Sequence, residues 1–305
     1  MLMRSKKIPD LSQTDRKLSL IGVASALGCP KKGSEQGPLE LLQLGLTNTL
    51  QLCGIDAHWQ QIIHAKHQQT DLNALALLCE ELARTVKQQV EHQQFFSVIG
   101  GDHSCAIGTW NGVYQARQHA PFGLIWVDAH MDSHTPFSSH TGALHGMPLA
   151  CLLGFGDQAL TGLAQPGPAL QAEHLCLIGV RSFEAEEAEL LANLGVRVFN
   201  MHEIRERGMD TVMAEAIDIA SSAGDFGLSI DLDALDPTIA PAISIPEPNG
   251  INLHELNRLI KPLAKTAGLI GVEIAEFNPR FDHQQQTARL ISTILSACVP
   301  APPDK

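Results

Sequence analysis

Phe122-Gly-Leu-Ile-Trp-Val-Asp-Ala-His-Met-Asp132 is an apolar run that ends in three potential metal ligands. Phe122 to Val127 has the length and unbroken apolar character of a strand buried on both faces, as parallel sheets require. Beyond it, Asp128, His130 and Asp132 occupy alternate positions, so in an extended segment their side chains face one side. The same pattern repeats along the chain. Leu18 to Val23, Phe95 to Ile99, His174 to Ile178, Val196 to Phe199, Phe226 to Ile230 and Leu269 to Ile274 also read as strands. Leu72 to His92, Met209 to Ala223, Leu253 to Thr266 and Gln285 to Val299 have helical periodicity. This alternation predicts an α/β fold of βα units around a parallel sheet. Ligands bind such sheets beyond the carboxyl ends of the strands, and the unusual polar residues collect there.

Two other strand ends carry candidate ligands. Gly100-Gly101-Asp102-His103-Ser104 follows Phe95 to Ile99, and Asp231-Leu232-Asp233 follows Phe226 to Ile230, with Asp236-Pro237 closing the turn. Taken singly these are weak signals, because an Asp after a strand is commonly a cap or turn residue. Taken together they converge on one sheet edge, where uncompensated carboxylates repel one another and call for a cation between them. Asp128, Asp132, Asp231 and Asp233 with His103 and His130 suit two divalent ions, which at about 3.5 to 4 Å apart activate a shared water. The set contains no thiolate, which argues against a structural zinc.

The 305 residues, 44% of them hydrophobic, show no linker, repeat or low-complexity run, so we expect a single domain over 1–305 with flexible ends at 1–17 and 300–305. Lys and Arg number 21 against 33 Asp and Glu, a net charge of −12 that disfavours nucleic acid and anionic membranes as partners. The first 17 residues lack the apolar core of a signal peptide, and the expected location is the cytoplasm. Seven cysteines without a C-x-x-C pair are expected to be reduced and buried.

The three strand-end motifs, the last of them Ser229-Ile-Asp-Leu-Asp-Ala-Leu-Asp-Pro237, resemble in order and spacing the metal-binding signatures of the arginase (ureohydrolase) family. Gly28-Cys-Pro-Lys-Lys-Gly-Ser-Glu-Gln-Gly-Pro38 resembles that family's first loop, and Ala275-Glu-Phe-Asn-Pro279 its Glu-Val-Asn-Pro stretch. The resemblance implies a three-layer α/β/α fold with a mainly parallel, eight-stranded sheet, assembled as a homotrimer or homohexamer. It implies two divalent ions, expected to be Mn2+. His103 and Asp132 would be terminal ligands of one, His130 and Asp233 of the other, with Asp128 and Asp231 bridging. The reaction implied is attack of a metal-bridging hydroxide on a guanidino compound. Asp132 counts among the catalytic groups as well as the ligands. Glu276 would hold the guanidinium, and His145, in Leu144-His145-Gly146-Met147-Pro148, would shuttle the proton to the leaving amine.

L-Arginine cleaved to L-ornithine and urea is the leading reaction implied. Substrate-binding candidates are His134, Thr141, Glu184 and Glu187, although arginases usually carry Asn at 134, Ser at 141 and Asn at 143, where this chain has His134, Thr141 and Ala143. The family's Gly-Thr-Pro appears as Ser244-Ile245-Pro246. Agmatinase, or a hydrolase of another guanidino acid, is the first alternative, and formimidoylglutamase the second. A single-zinc deacetylase and an inactive metal-bound scaffold are the readings from other classes.

Overall fold

The computed structural model describes residues 16–65 and 71–300, so most of the expected flexible ends lies outside the described residues. Lys17, assigned to such an end, instead opens the first strand. The strands are β1 (Lys17–Ala24), β2 (Asp56–His64), β3 (Phe96–Ile99), β4 (Gly123–Val127), β5 (Leu175–Val180), β6 (Arg197–Asn200), β7 (Phe226–Asp231) and β8 (Leu269–Ala275). They form one eight-stranded sheet in the order β2-β1-β3-β8-β7-β4-β5-β6, with every neighbouring pair parallel. The fold is the α/β/α arrangement expected.

Its layering follows from side-chain alternation. On β4, Ile125 and Val127 enter one hydrophobic core, while Leu124 and Trp126 enter the other. The first core is covered by α1 (Gly37–Gln43), α2 (Leu46–Leu52) and, from later in the chain, Met209–Ser221, Leu253–Ile260 and Gln286–Cys298. The second lies under α3 (Asp71–Glu91) and α4 (Ala106–Ala116). Each fully buried Leu, Ile or Val contributes about 1.5–3 kcal/mol, so the two cores fix the strand order between them.

Three expectations are corrected. The edge strand β2 was not anticipated, because its residues alternate between exposed and half-buried and most are polar. The helix expected over Leu253 to Thr266 stops at Ile260, and after Pro262 the chain makes only a short 3-10 turn over Leu263–Lys265. All seven cysteines are free, but Cys53 is exposed. Among the described residues no helix is long and apolar enough to cross a membrane.

Register places the site. Ile99, Ile274, Ile230, Val127 and Ile178 are neighbours across β3, β8, β7, β4 and β5. The next residues on the four central strands are Gly100, Ala275, Asp231 and Asp128, so motifs far apart in sequence emerge side by side at the carboxyl edge.

Candidate metal centre and active site

The ligand candidates stand at or just beyond the ends of their strands, His103 and Asp233 on short 3-10 turns and Asp231 on the last residue of β7. Asp102 caps the turn His103–Cys105, its Oδ1 accepting the Ser104 N–H at 3.0 Å, while its Oδ2 accepts the Gly28 N–H at 2.9 Å. Gly101 is required at its position, since a Cβ there would lie 1.7 Å from the Ser25 carbonyl oxygen. Asp231 likewise caps Leu232–Ala234 by accepting the Asp233 N–H at 2.8 Å. Asp132 (φ 45°) and Glu276 (φ 67°) hold left-handed backbone conformations, a cost of order 1–3 kcal/mol each that the surrounding structure must offset.

All six predicted ligands come together. His103, Asp128, Asp132 and Asp231 form one buried group, and Asp128, His130 and Asp233 a second, with donor atoms within 4.8 Å of one another in each. Asp128 belongs to both. Asp231, the other bridge implied by the resemblance, falls in the first group alone. His103 Nδ1 lies 3.2, 3.1 and 3.3 Å from oxygens of Asp128, Asp132 and Asp231. His130 Nδ1 lies 3.0 Å from Asp233 Oδ2 and 3.6 Å from Asp128 Oδ1.

Several supporting residues escaped the sequence reading. Ser229 Oγ donates to Glu273 Oε1 at 2.9 Å, so it accepts from His103 Nε2–H at 3.0 Å. That assignment leaves the Nδ1 lone pair facing the three aspartates. Glu273 is fully buried and also takes the Thr109 hydroxyl; burial pushes its carboxyl up. Trp126 donates to Asp128 Oδ2 at 2.9 Å and stacks on His103 with ring centroids 4.2 Å apart. Arg181 binds the carbonyls of Asp233 and Glu247, both at 2.7 Å, tying the loops after β7 together. Trp126 and Glu273 each left a sequence signal: the first stands two positions before Asp128, the second is a carboxylate inside an apolar run.

The electrostatics favour added positive charge. Burial and the Asp233 and Asp128 charges push Asp231 well up. Burial and Asp128 raise Asp233 to about 6, and the same causes raise Asp132. Asp128 is driven down despite burial by His103 and His130, which are themselves raised against burial by the surrounding aspartates. His103 Nδ1 is buried without a properly directed hydrogen bond, although three carboxylate oxygens surround it. Ligands at about 2.1 Å from one ion and at right angles stand about 3 Å apart, so this spacing fits a divalent cation better than a proton. Four oxygen-donor aspartates with two imidazoles suit a hard-to-borderline ion.

A cavity of about 150 Å³ opens onto the centre, lined among others by His130, Asp132, Asp231, Asp233, His145 and Glu276. Glu276 Oε1 accepts the His103 N–H at 3.0 Å and lies 3.2 Å from His145 Nδ1. Burial opposes charge on His145, but Glu276 outweighs it and raises the imidazole to about 9. His134, Thr141, Glu184 and Glu187 line the same cavity. Glu187, however, is buried and ties the loop to the helix Ala185–Leu194, accepting the Ser133 N–H at 3.1 Å and the Glu184 N–H at 3.0 Å. Ala143 does not line this cavity; it borders a neighbouring one with Cys29 and Leu144.

A model of the arginase family matches residues 16–299. The arginase of Bacillus caldovelox is 36% identical over 293 residues, which cover 92% of this chain and 97% of that protein. The crystal structure of arginase from Bacillus cereus aligns with a TM-score of 0.88 at 33% identity, covering 95% of this chain and 100% of that one. Entamoeba histolytica arginase, solved in complex with L-ornithine, aligns with a TM-score of 0.85 at 28% identity over 93% of this chain and 98% of its own. These likenesses span the sheet and every ligand-bearing turn, and the chain belongs to the arginase family of metal-dependent hydrolases of linear amidines.

Proposed function

We propose that the protein hydrolyses L-arginine to L-ornithine and urea at a binuclear centre. The observation that carries this reading is the pair of overlapping donor groups sharing Asp128 at the floor of a cavity that also holds Glu276 and His145. His103, Asp132 and Asp231 would hold one divalent ion and His130 with Asp233 the other, with Asp128 common to both. Manganese matches this oxygen-rich set. When bound, the ions supply Lewis acidity and a nucleophile drawn from water at neutral pH.

The chain's own residues account for the remaining steps. Glu276 presents a carboxylate oxygen to the cavity, suited to charge-assisted hydrogen bonds from a planar guanidinium. Its orientation is fixed by the His103 N–H and the His145 ring. His145, raised to about 9, carries its proton at neutral pH and can release it to the departing amine nitrogen. His134, Thr141 and Glu184 stand where the far end of the substrate would lie. The arginase names of the relatives, and the ornithine complex of one of them, support arginine over other guanidino compounds.

A urea-release assay on manganese-loaded protein, run with arginine, agmatine and guanidinobutyrate, tests this directly. Arginine should be the best substrate, with two ions per chain by elemental analysis. Preference for agmatine would move the assignment to agmatinase, and saturation at one ion would overturn the binuclear centre.

A further inference from the structure

Cys29 lies in the loop after β1, beside the site but outside the ligand set. The His145 N–H donates to the Gly28 carbonyl at 3.1 Å. A Cβ at position 28 would stand 2.7 Å from Asp102 Oδ1 and 2.9 Å from the His145 nitrogen, so only glycine lets the loop come this close. As a result Cys29 Sγ, a ring nitrogen of His145 and a carboxylate oxygen of Glu276 lie within 4.8 Å of one another.

We propose that Cys29, His145 and Glu276 form a separate, inhibitory site for a thiophilic divalent cation of the Zn2+ or Cd2+ class. Sulfur, imidazole and carboxylate are the donor types of zinc, with bonds of about 2.3 Å to S and about 2.0–2.1 Å to N and O, so tetrahedral ligands stand roughly 3.3–3.6 Å apart. The donors stand no more than 4.8 Å apart, so closing them onto one ion needs shifts of at most about 1.5 Å. The thiolate distinguishes this site from the oxygen-rich centre, since soft donors select Zn2+ and its heavier relatives while carboxylates suit manganese. Coordination forms bonds from the metal to Sγ, the imidazole and the carboxylate and releases both the thiol proton and the His145 imidazolium proton to solvent, with no change in oxidation state. His145 and Glu276 line the active-site cavity, and Cys29 borders a second cavity of about 460 Å³, so the ion has two approaches. Burial and the Glu276 charge push the Cys29 thiol up to about 12, so the proton leaves only as the metal binds. The inhibitory consequence rests on the proposed roles of Glu276 and His145; the site itself does not.

The test is a Cd2+ titration of manganese-loaded protein, following thiolate-to-cadmium ultraviolet charge transfer, retained manganese and urea release together. Wild type and Cys53→Ser, which removes the exposed thiol, should show one saturable band per chain, with inhibition and without loss of manganese. In Cys29→Ala and Cys29→Ser the band should vanish, and the inhibitory concentration, read against each variant's own uninhibited rate, should rise at least tenfold. A band that survives in both Cys29 variants, or inhibition that tracks manganese release, overturns the site. A Cys29-dependent band without inhibition upholds the site and overturns the roles given to Glu276 and His145. A protein that releases urea from no guanidino compound overturns the proposed function, while the band still reports on the site.

Discussion

His145 Nδ1 stands 3.2 Å from Glu276 Oε1, and the same oxygen accepts the backbone N–H of His103 at 3.0 Å. One carboxylate atom therefore links the metal-side turn, the expected guanidinium acceptor and the expected proton donor. Removing the imidazole should affect proton delivery without disturbing the donor groups, because His145 belongs to neither of them. His145→Ala is expected to lower kcat by about 10²–10⁴-fold, the usual contribution of a general acid, with manganese content unchanged. Steady-state kinetics with elemental analysis check this. A variant that keeps its rate, or loses its metal, contradicts the role.

Glu273 is hydrogen-bonded to the centre through Ser229, which holds the His103 ring by Nε2, and its own Oε1 stands 3.8 Å from that nitrogen. Glu273→Gln exchanges a charged acceptor for a neutral one of the same size, and Ser229→Ala cuts the link outright. Each should weaken manganese binding about 10–100-fold, as loss of an outer partner of a metal-bound histidine generally does. Manganese titrations followed by electron paramagnetic resonance give the constants. Equal affinity in wild type and both variants would show that the relay does not orient His103.

The ligand set is legible in sequence because every ligand stands within five residues after an apolar run. The pairing order is another matter. That β8 inserts between β3 and β7, bringing Glu276 beside His103, depends on packing of both faces of the sheet and has no local signature. The edge strand β2 pairs only with β1 and buries little, so its residues are free to be polar. The left-handed backbone at Asp132 and Glu276 could not be read because neither position is a glycine, the usual marker of positive φ. Ala143 shows the limit of positional reasoning: its place in the motif pointed to substrate contact, but its loop turns it towards the neighbouring cavity.

Away from the site, Arg197 bridges Glu215 at 2.9 Å and Glu203 at 3.0 Å, with its guanidinium 3.9 Å from the centroid of Phe199. Arg197 and Arg207 hold both glutamates below their ordinary value of 4.5, so this network's stabilisation is fully present above that pH and is lost as pH falls through the lowered values. Arg197→Met should cost about 1 kcal/mol at pH 7, allowing for solvent screening. Its thermal midpoint should approach that of wild type below pH 4 and in high salt. A deficit independent of both pH and salt would assign the effect to packing on Phe199.

Specificity should be decided at His134. Its Nε2 lies 3.0 Å from Glu184 Oε2 and 3.5 Å from Glu187 Oε2, and its Nδ1 lies 3.2 Å from Ser138 Oγ, so both ring nitrogens are engaged at the cavity wall. Asparagine at this position is shorter, releases Glu184, and offers an amide N–H to an incoming carboxylate. His134→Asn is therefore expected to raise kcat/KM for arginine. One hydrogen bond to a charged group is worth about 1.5–3 kcal/mol, which corresponds to a gain of roughly 10- to 100-fold. Agmatine has no α-carboxylate and should change little. Ala143→Asn alone should alter neither substrate, because residue 143 faces the cavity shared with Cys29 and Leu144. Measuring kcat/KM for both substrates in the two single variants and the double variant separates these contributions. An equal gain for agmatine in His134→Asn would mean that the substitution only widens the cavity mouth. A large effect of Ala143→Asn by itself would mean that the loop from Thr141 to His145 rearranges when substrate binds.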